Sequence, residues 1–326
     1  MRQATTSSES KDAIIAQSSP RRPELVLSVK DYLQYNSDSN NDTTNGDSAP
    51  AKIQLVLASA SPRRREILDM MGLKGQYLVI PSPLNETQIQ IKLCQNDQVD
   101  PILYTRTLAE QKAYAVAYDL LSRHSISSEP SRKAETTRLI LGSDTVVAIT
   151  DDITNVTTLL EKPMDTNDAI RMLQQLQNRS HVVYTGVAVV RYTPPLPQIQ
   201  ETLIDDAVHN VNDGYYQDNL SSSIQLVHSF VETATVFVSA MNEIDIESYV
   251  ATQEPMDKAG AYGIQGIGGQ MVAKIDGDFF TVSNVCMYIS FLLETSFVCT
   301  FIGIISLSDG RIAVLLFVLR WFFFSR

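Results

Sequence analysis

Apolar residues first gather into a short run at Ile53–Ser59, the pattern of a strand buried on both faces. Directly after it, Ile67, Leu68 and Met71 fall on one helical face, predicting a helix from Pro62 to about Met71 that Gly72 ends. A second helix is predicted from Thr107 to Leu121. Arg138–Ile149 again reads as a buried strand, interrupted by Gly142, Ser143 and Asp144. Asp165 is placed to cap a helix whose Ala169, Met172, Leu173 and Leu176 share one face. His181–Tyr192 and Phe230–Val238 carry strand patterns, and Asn242 to Ala251 reads as another capped helix. Strands alternating with helices predict an α/β domain.

The polar stretches between these elements set its limits. Residues 1–51 are rich in Ser, Asn, Asp and Thr and cannot bury enough apolar surface to offset the entropy of ordering, so a disordered N-terminal extension is expected. The α/β domain is expected over 52–284, with surface insertions near 122–137 and 193–229, the latter containing Pro194, Pro195 and Pro197. Beyond it, 285–326 form an almost uncharged hydrophobic tail.

With 326 residues, 44% apolar and 19% charged, the chain is long enough for one large core and has a globular composition. A net charge of −11 argues against a general nucleic-acid binder, which needs an extended basic surface. Any anion must therefore be held in a local basic pocket. Cys94, Cys286 and Cys299 form no CxxC pair and the four histidines have no ligand spacing, which argues against structural zinc or a disulfide framework and suits a reducing compartment. The N-terminus lacks the apolar core of a signal peptide and carries acids that a transit peptide avoids, so a cytoplasmic location is expected.

The most informative segment is Ser59-Ala60-Ser61-Pro62-Arg63-Arg64-Arg65-Glu66. Ser61 and Pro62 suit the N-cap and first position of a helix, but three arginines then crowd its positive end, each at a cost of roughly 0.3–1 kcal/mol. A bound anion would reverse that sign, and hydroxyls, backbone N–H groups and guanidinium forks together make a phosphate cradle. The alternative is a solvated basic turn. Ser18-Ser19-Pro20-Arg21-Arg22 repeats the letters with no strand before it, so the strand-to-helix context carries the inference. Asp144, inside an apolar run, is costly to bury unless paired, metal-bound or catalytic, and Gly142 beside it would let the strand bend and open a cleft. Lys112 lies on the apolar side of its helix, either snorkelling to solvent or reaching an anion site. Lys162 precedes a helix in the loop Glu161-Lys162-Pro163, and Gly260–Gly269 predicts a tight loop close to a ligand or another strand.

Taken together, Leu57–Arg64, Gly142–Val147, Glu161–Pro163, Tyr184–Val187 and Glu254–Gly266 resemble, in order, the motifs of the Maf family of nucleotide pyrophosphatases. The resemblance spans roughly residues 53–282 and implies a central mixed sheet flanked by helices, with a deep nucleotide-binding cleft and a homodimer. It implies a divalent cation, magnesium or alternatively manganese. By position it makes Ser59, Ser61, Arg63, Arg64, Lys112 and Lys162 phosphate-binding, Asp144 the general base, and Glu86 with Asp144 the metal-binding carboxylates. Metal ligation and base work compete for Asp144. Arg63, Thr145 and Gln265 resemble the specificity residues of the branch acting on dTTP and UTP. The implied reaction is hydrolysis of a nucleoside triphosphate to the monophosphate and pyrophosphate.

After Val282 the chain departs from the family pattern. A hydrophobic stretch over 285–305 contains Glu294, and a second run from Ile312 to Phe324 is broken by Arg320. Its length permits one membrane span, against which Glu294 weighs, and an altered gene-model end is the other reading. The alternatives to the enzyme are a nucleotide-binding regulatory protein without turnover and a membrane-tethered form of the enzyme.

Overall fold

The computed structural model describes residues 53–94, 99–126, 136–151, 153–195 and 223–283. The predicted N-terminal extension, the hydrophobic tail and the greater part of both insertions lie outside them.

The chain opens with strand β1 (Ile53–Leu57), the two-turn helix α1 (Pro62–Leu68), a wider turn over Asp69–Leu73, and the short strand β2 (Tyr77–Val79). Gly72 adopts φ +85°, which an L side chain resists, and this stops the helix as its position predicted. Helices α2 (Glu86–Leu93) and α3 (Pro101–Ile126) follow, then strands β3 (Thr137–Thr150) and β4 (Thr157–Leu160). Helix α4 (Thr166–Leu176), strands β5 (Ser180–Tyr192) and β6 (Ile224–Val238), and helix α5 (Glu243–Ala251) come next. Three 3₁₀ turns (Glu254–Asp257, Ala259–Ala261 and Ile267–Met271) lead to strand β7 (Val272–Asp276) and the single turn α6 (Phe279–Val282).

The seven strands form one sheet in the order β2-β1-β3-β5-β6-β7, with β4 paired to the far end of β3. β1 runs parallel to β2 and β3, and the remaining pairs are antiparallel, so the sheet is mixed as expected. Side chains alternate across it. Leu139, Leu141, Val147 and Ile149 of β3 face the layer containing α1, α4 and α5, whereas Ile140 and Val146 pack beneath α3. The caps read from the sequence form: Asp165 accepts from Asp168 N–H, and Asn242 and Asp245 complete a reciprocal capping box.

Several boundaries differ from those predicted. β3 is not interrupted at Gly142-Ser143-Asp144 but pairs with β5 without a break from Arg138 to Ala148. Gly142 serves closeness instead of bending: a Cβ there would sit 2.1 Å from the Ala109 carbonyl oxygen of α3. Gly186, on the neighbouring strand, meets the Thr105 carbonyl at 2.4 Å in the same way, so two glycines let one helix lie against the sheet. α3 begins six residues before the predicted Thr107 and runs past Leu121 into the first expected insertion. β6 begins at Ile224 rather than Phe230, because its first half is amphipathic and mixed with Gln225, His228 and Ser229.

Candidate active site

β3 is where the site divides. Asp144 and Thr145 are consecutive, so they project from opposite faces of the sheet. On the α3 side, Asp144 Oδ1 lies 2.6 Å from Lys112 Nζ, with side chains 13% and 10% exposed. The same ammonium lies 2.8 Å from Glu86 Oε2 at the start of α2. Lys112 thus does not snorkel to solvent: two carboxylates hold it. Its position one turn after Leu108 on α3 aims it at the sheet, and Asn85, accepting from Thr87 N–H, fixes the start of α2 that carries Glu86.

Arg64 joins this set. Its guanidinium is buried and donates to Ser59 Oγ at 2.9 Å. Burial depresses its proton affinity, and the negative charges of Asp144 and Glu86 oppose that. Ser59 Oγ also accepts from Ser61 N–H at 3.2 Å, tying the strand end to the helix start.

Arg63 turns the other way. Its Nη1 lies 3.1 Å and 3.3 Å from the two Asp257 carboxylate oxygens, and its Nη2 donates to the Asp257 carbonyl at 3.1 Å. It lines a pocket with Thr145, Val147, Lys258, Tyr262 and Gln265. The three residues predicted to set specificity therefore share one pocket, on the face opposite Asp144. Consecutive residues split alike: Arg63 faces the side of Thr145, and Arg64 is set in the field of Asp144.

Ser61 occupies the N-cap with an extended backbone, yet its side chain makes no cap bond. Its Oγ is buried without a hydrogen-bond partner, as are Arg63 Nε and, on the pocket wall, Ser283 Oγ. Buried polar atoms rarely stay unpaired, so the Arg63 and Ser283 atoms, on residues that line the pocket, are groups that a polar ligand can satisfy. Lys162 lies exposed in the loop after β4, where its charge reaches Glu161.

Residues that the sequence reading passed over complete the picture. Glu161 accepts from Gln90 Nε2 at 2.9 and 3.0 Å and from the Tyr104 hydroxyl. Its carboxyl is pushed up by burial and by the charge of Glu86. Burial also pushes Asp257 up, but the hydrogen bond from Lys258 and the charges of Arg63 and Lys258 outweigh it and lower the carboxyl. Glu254 accepts from Ile267 N–H at 2.9 Å, Gly268 N–H at 3.1 Å and the Tyr249 hydroxyl at 3.0 Å, clamping the loop that presents Gln265. These positions lay inside the motifs Glu161–Pro163 and Glu254–Gly266, and only their neighbours had been singled out.

Two of the three arginines meet protein counter-charges, since Asp257 pairs with Arg63, and Asp144 and Glu86 act on Arg64. For a divalent cation, Glu86 and Asp144 already converge on one positive centre, the Lys112 ammonium. Among the described residues no group of three or more His, Cys, Asp or Glu side chains could hold a metal alone. Two carboxylates suit a divalent cation only where further oxygen ligands come from a bound molecule or water.

No helix among the described residues is long and apolar enough to cross a membrane. The family model described as "Maf-like protein" matches residues 54–285. The chain is 35% identical over 231 residues to a dTTP/UTP pyrophosphatase of Acholeplasma laidlawii, covering 71% of this chain and 90% of that one. It is 32% identical over 230 residues to a dTTP/UTP pyrophosphatase of a Thermoanaerobacter species, covering 71% and 89%. A human protein named as a probable bifunctional dTTP/UTP pyrophosphatase/methyltransferase is 35% identical over 229 residues, 70% of this chain and 30% of that one. A fold with a mixed sheet between helical layers, motifs in the expected order and these similarities agree: the chain belongs to the Maf-like protein family.

Proposed function

We propose that this chain is a nucleoside triphosphate pyrophosphatase acting on dTTP and UTP, releasing the nucleoside monophosphate and pyrophosphate. The observation that carries the reading is the placement of Asp144 against Lys112 and Glu86 on one face of β3, beside a pocket that gathers Arg63, Thr145 and Gln265 on the other. The names of the relatives supply the substrate class.

Attack at the α-phosphorus must bring water against a polyanion, so the main task is charge neutralisation and alignment. Arg63 and Lys258 line the pocket as cations, and Arg64 and Lys112 add positive charge on the other face of β3. Ser59, Ser61 and Lys162 complete the proposed phosphate contacts, Ser61 through its unpaired hydroxyl. Asp144 accepts the proton as the water oxygen bonds to the α-phosphorus. The α–β bridge then breaks and pyrophosphate departs with the bonding electrons. Glu86 would hold the divalent cation, magnesium or manganese, which supplies further neutralisation of phosphate charge, and Asp144 would be its ligand only in place of the base role. The family resemblance extends the reading to a deep cleft and a cytoplasmic homodimer.

The test is pyrophosphate release from dTTP, UTP and CTP with magnesium, comparing the wild type with Asp144→Asn. Release from dTTP and UTP that falls roughly 10²- to 10⁴-fold in the variant is expected. Near-wild-type turnover by Asp144→Asn removes the base assignment. Tight nucleotide binding with no release by the wild type favours a regulatory binding protein.

A further inference from the structure

Thr145 and Thr185 face each other across β3 and β5 as register partners, with their hydroxyl oxygens 2.8 Å apart. Thr185 is fully buried, and its Oγ1 lies 2.7 Å from the carbonyl oxygen of Thr281 in α6. A threonine hydroxyl has one proton and two lone pairs, and a carbonyl can only accept. The Thr185 proton is therefore committed to Thr281, and the contact between the two threonines exists only if Thr145 donates to Thr185. Thr145 has then spent its own proton. What it offers to the pocket it lines is lone pairs alone.

We infer that Thr185 is a positioning residue that fixes Thr145 as an acceptor-only group, and that this reads the ring N3–H of a uracil or thymine base. Uracil and thymine carry a proton on N3, whereas cytosine has a lone pair at that place and would face the lone pairs of Thr145. Gln265, on the same pocket, carries both a donor and an acceptor and can serve a flanking carbonyl of the base. The relay reaches the end of the described chain, because its terminal acceptor belongs to α6, whose start is fixed by Asp278 accepting from Thr281 N–H. The inference rests on the pyrimidine triphosphate reading above and deepens it.

The test compares kcat/KM and calorimetric Kd for UTP, CTP and 3-methyl-UTP in the wild type, Thr185→Val and Thr185→Ser. Valine keeps the shape and removes the acceptor, while serine restores the relay. The preference for UTP over CTP is expected to fall roughly tenfold or more in Thr185→Val and to persist in Thr185→Ser. 3-Methyl-UTP, which lacks the ring proton, is expected to lose roughly ten- to hundredfold against UTP in the wild type. That comparison decides the matter even where Thr185→Val fails to fold. A folded Thr185→Val with the wild-type preference, or 3-methyl-UTP handled like UTP, overturns the inference. Wild-type protein that binds UTP over CTP but releases no pyrophosphate defeats the enzymatic reading and leaves the recognition relay standing.

Discussion

Lys112 Nζ lies 2.6 Å from Asp144 Oδ1 where α3 crosses β3, and the chain separates the two by 32 residues. A lysine on the covered side of a helix is tolerated there because the sheet meets it with a carboxylate. Removing one member of a nearly buried pair strands the other charge, at a cost of roughly 3–5 kcal/mol. Lys112→Met is therefore expected to destabilise the fold by roughly 3 kcal/mol, and Lys112→Met with Asp144→Asn by less. Urea denaturation of the four proteins in the cycle measures this. If Lys112→Met alone unfolds within about 0.5 kcal/mol of wild type, the pair contributes nothing to the fold.

Arg63 presents the opposite balance. Its partner Asp257 is 61% exposed, so the ion pair adds little stability, while the side chain lines a pocket and its Nε is buried without a partner. Arg63→Lys keeps the charge and loses the fork. Its kcat/KM for dTTP is expected to drop at least about tenfold, with the melting temperature within about two degrees of wild type. Equal activity in the lysine variant would show that Arg63 only balances Asp257.

Gly142 was read in the sequence as a hinge, and the structure assigns it to helix contact. An added Cβ would meet the Ala109 carbonyl at 2.1 Å and Ala113 Cβ and N at 3.0 Å, and backbone cannot rotate away as a side chain can. Gly142→Ala is expected to cost several kcal/mol, roughly 3 or more, by forcing α3 off the sheet. Thermal unfolding that shifts by less than about two degrees would restore the hinge interpretation.

That misreading shows where the sequence stops being legible. A glycine within an apolar run announces a backbone need but does not say whether the need is a bend or a close neighbour, which is a tertiary fact. Long elements with clear periodicity were readable: His181–Tyr192 is observed as Ser180–Tyr192, and the capped helix at Asn242 forms as expected. β2, β4 and β7 have only three to five residues each, too few for an alternation to stand out, and they depend on neighbours for pairing. The site shows the same limit. Its arginines were evident from their crowding, but the contact between Arg63 and Asp257 spans 194 residues, and no local pattern ties the two. Glu161 was overlooked beside Lys162 because its chemistry lies in the Gln90 and Tyr104 that surround it, two helices away.

His181 gives the fold a predicted acid limit. Its ring is 3% exposed, with Nε2 2.8 Å from the Tyr262 hydroxyl and Nδ1 without a partner. Burial, aided by the charge of Arg179, lowers it from 6.5 to about 4. The folded state thus holds a neutral imidazole, while the unfolded chain takes up a proton as pH falls below about 6.5. Stability is full above that point and declines as pH falls towards about 4, by a total of roughly 3 kcal/mol. Acidic side chains titrate in the lower part of this range, so the useful quantity is the difference between wild type and His181→Gln, which cannot charge. Denaturant midpoints taken from about pH 7 to about pH 4 should show the wild type losing stability faster than the variant. Because the folded state keeps the imidazole neutral, its contact with Tyr262 persists, and KM for dTTP should not differ between wild type and variant in its pH dependence until about pH 4 is approached. Two parallel stability curves would mean that His181 is free to protonate in the fold, and the anchoring of Tyr262 by a neutral imidazole would be wrong.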